Sequence, residues 1–195
     1  MRRPTSQYLA VLIVVVTTIW ITGCLSLKPI HSPNLKHQTA AQKDGKPPII
    51  IIPGIMGSVL VNKKTNSEVW PKLNPKDADL ILPILPDLKS NRDDVVATEV
   101  IGDAKLMPFL PGTNVYQVLV DTLVKDAGYK LGDINDPPPD GDRDTVYLFP
   151  YDWRRDNVES AQLLADKIAN LKQKLQRPDL RFDIIAHSTG GLIAR

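Results

Sequence analysis

Near the amino terminus an apolar run, Leu9-Ala10-Val11-Leu12-Ile13-Val14-Val15-Val16, follows Arg2 and Arg3 and continues through Thr17, Thr18, Ile19 and Trp20. A basic end, a short apolar core and small residues before a cut describe a secretory signal peptide. The uncharged stretch over 7–27 is also long enough for a membrane-spanning helix, since about 20 residues cross a bilayer. From Leu25 to Pro47 the chain is polar, with Lys, Pro and His residues and no sustained periodicity. That segment reads as a tether between membrane and domain.

Beyond the tether the pattern changes. Pro47-Pro48 is followed at once by Ile49-Ile50-Ile51-Ile52. Four β-branched residues between prolines predict a short strand buried on both faces, as in a parallel sheet. Pro53 to Ser58 is a glycine-punctuated loop. Over 59–101, apolar pieces alternate with Pro71, Pro75, Pro83 and Pro86, which predicts irregular excursions and edge strands. Within it Val95, Ala97, Glu99 and Ile101 share one face of an expected strand. Val115, Leu119 and Leu123 predict a helix over 114–127, with Gly128 in the left-handed position after its last turn. Thr145 to Phe149 is a strand by composition. Asp156 fits an N-cap with Glu159 completing a capping box. The helix it starts runs to Gln176, with Ala161, Leu164, Ala165, Ile168, Leu171 and Leu175 on one stripe, and Pro178 closes it. Phe182 to Ala186 is the next strand. Strand, amphipathic helix, strand is a βαβ unit with a right-handed crossover, and the expected class is α/β with a partly parallel sheet.

The 195 residues include 24 Lys+Arg, 22 Asp+Glu and one cysteine, with 43% hydrophobic positions. This composition excludes wholesale disorder and fibrous repeats, and a lone cysteine excludes a disulfide scaffold. A net charge of +2 gives no basis for a nucleic-acid footprint. The position of the cysteine matters more than its number. Ile21-Thr22-Gly23-Cys24, at the end of the apolar core, resembles the bacterial lipobox, in which the cysteine thiol is diacylated and cleavage leaves it as residue one. A buried cysteine in a membrane anchor and an ordinary signal peptide are the alternatives. Two acyl chains anchor stably where one is marginal. Leu25 after the cysteine, by resemblance to Gram-negative lipoproteins, favours the outer membrane, facing the periplasm or the cell exterior. The expected organisation is a signal peptide over 1–23, a tether over 24–47 and a domain over 48–195. Cleavage removes Arg2 and Arg3 and no acids, so the mature chain is formally neutral and held to the membrane by lipid. His31 and His37 have no acidic or thiol neighbours, so they read as solvated tether residues rather than metal ligands. The acids of 133–144 do not match a calcium loop: the glycine falls too early, and the twelfth position from Asp140 is Tyr151.

The stretch Ala186-His187-Ser188-Thr189-Gly190-Gly191 carries the chemistry. It has the pattern of the nucleophile elbow, G-x-S-x-G, with Ala186 in the first glycine's place. A serine on a strained strand-to-helix turn projects its hydroxyl from the sheet, and the residues two before and two after must be small. Gly190 meets that demand, and Gly191 adds a second glycine. The Thr189 N–H, where the chain enters a helix, is placed to donate to an oxyanion. His187 adjoins the nucleophile on the tight turn, so its ring is expected to point away from the hydroxyl and to pack.

Three segments together resemble the lecithin:cholesterol acyltransferase-like lipases and acyltransferases of the α/β-hydrolase fold. They are Ile52-Pro53-Gly54-Ile55-Met56-Gly57-Ser58 with Val69-Trp70-Pro71; Phe149-Pro150-Tyr151-Asp152-Trp153-Arg154; and Ala186 to Gly191. The resemblance implies a lipid or other ester substrate and a Ser188 nucleophile. It also implies a second oxyanion donor at the Ile55 N–H, where Gly54 permits close backbone approach. Asp152 and Arg154 look like a charge pair bracing the loop under Trp153. No cofactor or metal enters the expected chemistry. In this fold the triad runs Ser, then Asp or Glu, then His. None of these follows Ser188, so the chain reads as the amino-terminal part of a longer enzyme, inactive and poorly folded by itself. A non-catalytic surface lipoprotein that keeps the scaffold for binding is the competing reading, and a peptidase or amidase on the same fold is a third.

Overall fold

The computed structural model describes residues 45–71, 80–82, 92–102 and 115–195. The signal peptide, Cys24, His31, His37, Asn114 and most of the tether lie outside the described residues. Strands β1 (Ile49–Ile52), β5 (Lys130–Gly132), β6 (Thr145–Leu148) and β7 (Asp183–Ala186) form a four-stranded sheet in the order β5-β6-β1-β7. Every pairing in it is parallel. Strands β2 (Ser58–Asn62), β3 (Ser67–Trp70) and β4 (Val95–Val100) form an antiparallel sheet with β2 in the middle. The helices are α1 (Val115–Lys125), α2 (Asn157–Lys174) and α3 (Thr189–Ala194). The class is α/β: a parallel sheet flanked by helices.

β1 is buried as its four isoleucines predict, none more than 6% exposed. Alternation along the strand assigns its two faces. Ile49 and Ile51 join Val120, Leu123, Ala127 and Val146 in the layer under α1. Ile50 and Ile52 join Tyr147, Phe149, Leu164, Leu171 and Ile193 in the layer under α2 and α3. Fully burying each such side chain contributes about 1.5–3 kcal/mol, so β1 is the axis of both cores.

α1 ends as expected. Gly128 has φ +73 with open space where a Cβ would lie, so its backbone conformation, not crowding, favours glycine. The Tyr129 N–H returns to the Leu123 carbonyl at 3.0 Å. The buried stripe, however, runs through Val120 and Leu123. α2 begins at Asp156, whose carboxylate accepts the Val158 N–H at 2.7 Å. The capping box is only half formed, because Glu159 pairs instead with Arg155 at 2.8 Å and Arg92 at 3.1 Å. Ser160 is buried in this helix and Ala165 is exposed, so the inward stripe differs there from the expected one.

β6 and β7 are parallel strands of one sheet connected through α2, with β1 between them. β7 is the last strand of that sheet among the described residues, and Ile184 is 41% exposed. Over 59–101 the edge strands are β3 and β4, which pair with β2 in one sheet. A register shift between Ser58 and Leu60 breaks the alternation of β4, burying Val100 and leaving Glu99 exposed. β5, unforeseen, precedes a loop whose acids are occupied by ion pairs: Asp140 with Lys130, Asp142 with Arg177, Asp144 with Lys46. Among the described residues no helix is long and apolar enough to cross a membrane.

Candidate active site at the Ser188 turn

The loop after β1 is short, and most of its backbone polar groups have partners within the protein. The Ile52 carbonyl accepts the His187 N–H at 3.0 Å and the Gly57 carbonyl accepts the Ile101 N–H at 2.9 Å. Aromatic side chains hold much of the rest. Tyr151 Oη donates to the Pro53 carbonyl at 3.1 Å. Trp70 Nε1 donates to the Met56 carbonyl at 3.0 Å, and Trp153 Nε1 to the Ser58 carbonyl at 3.3 Å. Tyr116 Oη accepts the Gly54 N–H at 2.8 Å. Burial pushes the Tyr151 phenol up to about 12, so it remains a donor through the neutral range.

Gly54 to Gly57 is a tight turn, closed by the Gly57 N–H on the Gly54 carbonyl at 3.0 Å. Met56, third in the turn, has φ 61, the positive value that a type II turn demands there. Because the Gly54 carbonyl faces into the turn, the Ile55 N–H of the same trans peptide faces out. Among the described residues that N–H has no partner. Ile55 is 58% exposed and the Met56 N–H likewise lacks a partner among those residues, so the Ile55 N–H is a donor open to solvent or to an incoming acceptor.

Ser188 lies directly after β7 and has φ 52 and ψ −122, a strained conformation for any residue with a Cβ. It is exposed and its hydroxyl makes no capping hydrogen bond. The Gly190 N–H bonds the His187 carbonyl and the Gly191 N–H the Ser188 carbonyl, both at 2.9 Å, which closes the turn. The Thr189 N–H has no backbone partner among the described residues. The turn abuts the loop after β1. A Cβ on Gly54 would stand 3.0 Å from Ser188 Cβ, and one on Gly190 would stand 2.6 Å from the Pro53 carbonyl oxygen. Ser188, the Thr189 amide and the turn carrying the Ile55 amide are therefore brought together.

Each expected site residue can now be placed. Ser188, Thr189, Ile55 and Gly190 converge. Gly191 does not share the steric role of Gly190, since a Cβ there meets nothing within 4 Å. His187 is an exposed residue whose ring nevertheless packs edge to face against Tyr116, with Nδ1 2.8 Å from Tyr116 Oη. Cys24 is outside the described residues. The Asp152–Arg154 pair is present at 2.7 Å, and Asp93 extends it at 2.9 Å. Burial opposes the Arg154 charge, but the two carboxylates outweigh it and hold its pKa above the ordinary value. Tyr116 was not foreseen. Its signal, an aromatic with a polar tip on the inward stripe of α1, is shared by many core tyrosines. Burial raises its phenol above the usual value, against the effect of the Gly54 N–H.

A cleft of about 630 Å³ opens elsewhere, between β4, the 149–152 segment and α2; Asp93 and Asp152 line it, but Ser188, Thr189, Ile55 and Gly190 do not. Glu159 on its wall pairs with Arg92 and Arg155. No protein-family model matches this chain, and no curated protein is significantly similar to it.

Proposed function

We propose that Ser188 is the nucleophile of a serine acyl-transfer enzyme on an α/β-hydrolase fold, acting on lipid esters as a lipase, esterase or O-acyltransferase. The observation that carries this reading is the strained, exposed Ser188 (φ 52, ψ −122) on a turn that abuts the loop after β1 and its unpartnered Ile55 amide. Attack of Ser188 Oγ on an ester carbonyl forms the C–O bond of a tetrahedral intermediate. Its oxyanion accepts hydrogen bonds from the Ile55 and Thr189 amides, donors already oriented before charge develops. Collapse expels the alcohol and leaves an acyl-serine, which water or a second alcohol then takes up. The general base implied by the family resemblance is a histidine oriented by an acid. His187 is not read as that base, because it adjoins Ser188 on the tight turn. Ile55 and Met56, 58% and 40% exposed, offer apolar surface to an acyl chain in the loop facing the serine turn. The same reading holds the protein at the bacterial outer membrane through lipid on Cys24.

The test is labelling in native membranes with an alkyl fluorophosphonate, followed by peptide mass spectrometry. The expected adduct is on Ser188 and is lost in Ser188→Ala. An adduct elsewhere, or none, overturns the nucleophile assignment and favours a scaffold used for binding. Metabolic labelling with an alkynyl palmitate tests the anchor separately; absence of label on the parent protein, or label that persists in Cys24→Ala, overturns it.

A further inference from the structure

We propose that Tyr116 is a positioning residue whose hydroxyl ties the Gly54–Gly57 turn to the serine turn and so sets where the Ile55 amide stands relative to Ser188. The inference deepens the proposed acyl-transfer reading and rests on it for its catalytic meaning, but its structural content stands apart.

Tyr116 Oη lies between two groups far from it in sequence, 2.8 Å from the Gly54 nitrogen and 2.8 Å from His187 Nδ1. A phenol has one proton to give and lone pairs to accept with. It accepts from Gly54 N–H, and in the arrangement proposed its own proton goes to His187 Nδ1, the tautomer with its proton on Nε2 being the one that can accept it. The three groups form one directional chain, Gly54 N–H to Tyr116 O–H to His187, in which each bond polarises the next. The rings of Tyr116 and His187 also meet edge to face at 5.9 Å. The consequence follows from covalent geometry. Holding the Gly54 N–H fixes one peptide of the turn, and the Gly57 N–H on the Gly54 carbonyl fixes the next, which carries the Ile55 N–H. At its other end the chain grips the residue immediately before Ser188. Tyr116 also limits the turn sterically, since its ring lies 3.3 Å from where a Gly57 Cβ would be. Such a residue touches no substrate; it acts through the donor it orients, and misplacement of a catalytic group by about 1 Å can cost about 100-fold in rate.

Tyr116→Phe keeps the ring and removes only the hydroxyl. By amide hydrogen exchange on the isotope-labelled full chain, the Gly54 amide is expected to exchange at least about 10-fold faster, as loss of one net hydrogen bond implies. The Ile51 amide in β1 should be unchanged, which separates a local loss from general unfolding. The ¹⁵N shift of His187 Nδ1 should move from a hydrogen-bonded acceptor toward a free one. His187→Asn, whose side-chain amide can still meet the phenol, should keep Gly54 protected, whereas His187→Ala should not. Unchanged Gly54 exchange and His187 shift in Tyr116→Phe overturn the proposal. Where the parent protein labels at Ser188, Tyr116→Phe should label at least 10-fold more slowly, and equal rates also overturn it. Absence of any Ser188 adduct in the parent sinks the acyl-transfer reading alone, and the exchange and shift data still decide the role of Tyr116.

Discussion

Adjacent glycines at the serine turn make opposite predictions. A Cβ added at Gly190 would lie 2.6 Å from the Pro53 carbonyl oxygen, 2.7 Å from the Ile52 carbonyl oxygen and 2.9 Å from Ile52 Cγ2. Two of these are backbone atoms of the most buried strand and the loop leaving it, so they cannot swing aside. Relief requires the start of α3 to retreat by roughly 0.7 Å in a close-packed interior. Overpacking of this kind costs about 1–3 kcal/mol, and immobile neighbours put Gly190→Ala near about 3 kcal/mol. The helical advantage of alanine returns about 1 kcal/mol, leaving a net loss of about 2 kcal/mol. Gly191→Ala meets nothing within 4 Å. It should be neutral or stabilising by about 0.4–1 kcal/mol, through the unfolded chain. Urea unfolding is the assay: with a slope of about 2 kcal/mol per molar, Gly190→Ala should lower the midpoint by about 1 M while Gly191→Ala does not. The retreat also carries the Thr189 amide away from Ile55, so fluorophosphonate labelling of Ser188 should slow in the first variant only. Coincident unfolding curves for the two variants, or a Gly190→Ala midpoint equal to that of the parent, would refute this account of the turn.

Further outcomes follow from the same geometry. Ser188→Gly should be more stable than Ser188→Ala by about 1 kcal/mol, because only glycine relieves the φ 52, ψ −122 conformation; equal unfolding midpoints would contradict the strain. Arg154→Met leaves the buried Asp152 and the partly buried Asp93 without their cation and should cost about 3–5 kcal/mol by denaturant unfolding. A loss under 1 kcal/mol would show the pair to be expendable. Asp156→Ala removes the cap of α2 and should lower stability by about 1 kcal/mol. Burial raises the Tyr147 and Tyr151 phenols to about 12 in the folded chain, against the ordinary value of 10. The folded state then holds more protons between those limits, so stability is level below pH 10 and falls as pH rises toward 12. Phenolate absorbance at constant fold should reveal these two groups as the late-titrating tyrosines, and early titration of either would count against the burial.

How far the sequence discloses this structure depends on the range of the interaction that decides each element. β1 is legible because four isoleucines between prolines leave little alternative to a strand buried on both faces. The start of α2 is legible because Asp156 caps it from one residue away. The antiparallel sheet is not legible, because the register shift in β2 breaks the alternation by which a strand is recognised. The strand order is not legible either, because Ile184 and Ile185 are as apolar as an inner strand requires and nothing local places β1 between β6 and β7. At the site, Ser188 and Gly190 are readable from local spacing. Tyr116 is not, since its partners lie 62 and 71 residues away and no local pattern links them.

These differences explain where the serine turn gets its support. Ser188 holds a strained φ/ψ pair beside Ile184, which is 41% exposed. The restraint comes from β1. The Ile52 carbonyl takes the His187 N–H, the Pro53 and Ile52 carbonyls bound Gly190, and Gly54 lies against Ser188 Cβ. The same few residues carry the Ile55 amide, which Trp70, Tyr116, Tyr151 and Trp153 surround with hydrogen bonds to its neighbours. The serine turn and the Ile55 amide are thus referred to one buried strand rather than to two independent loops. In the proposed acyl-transfer reading, preorganisation is a property of that central strand, and the aromatic side chains transmit it to the loop.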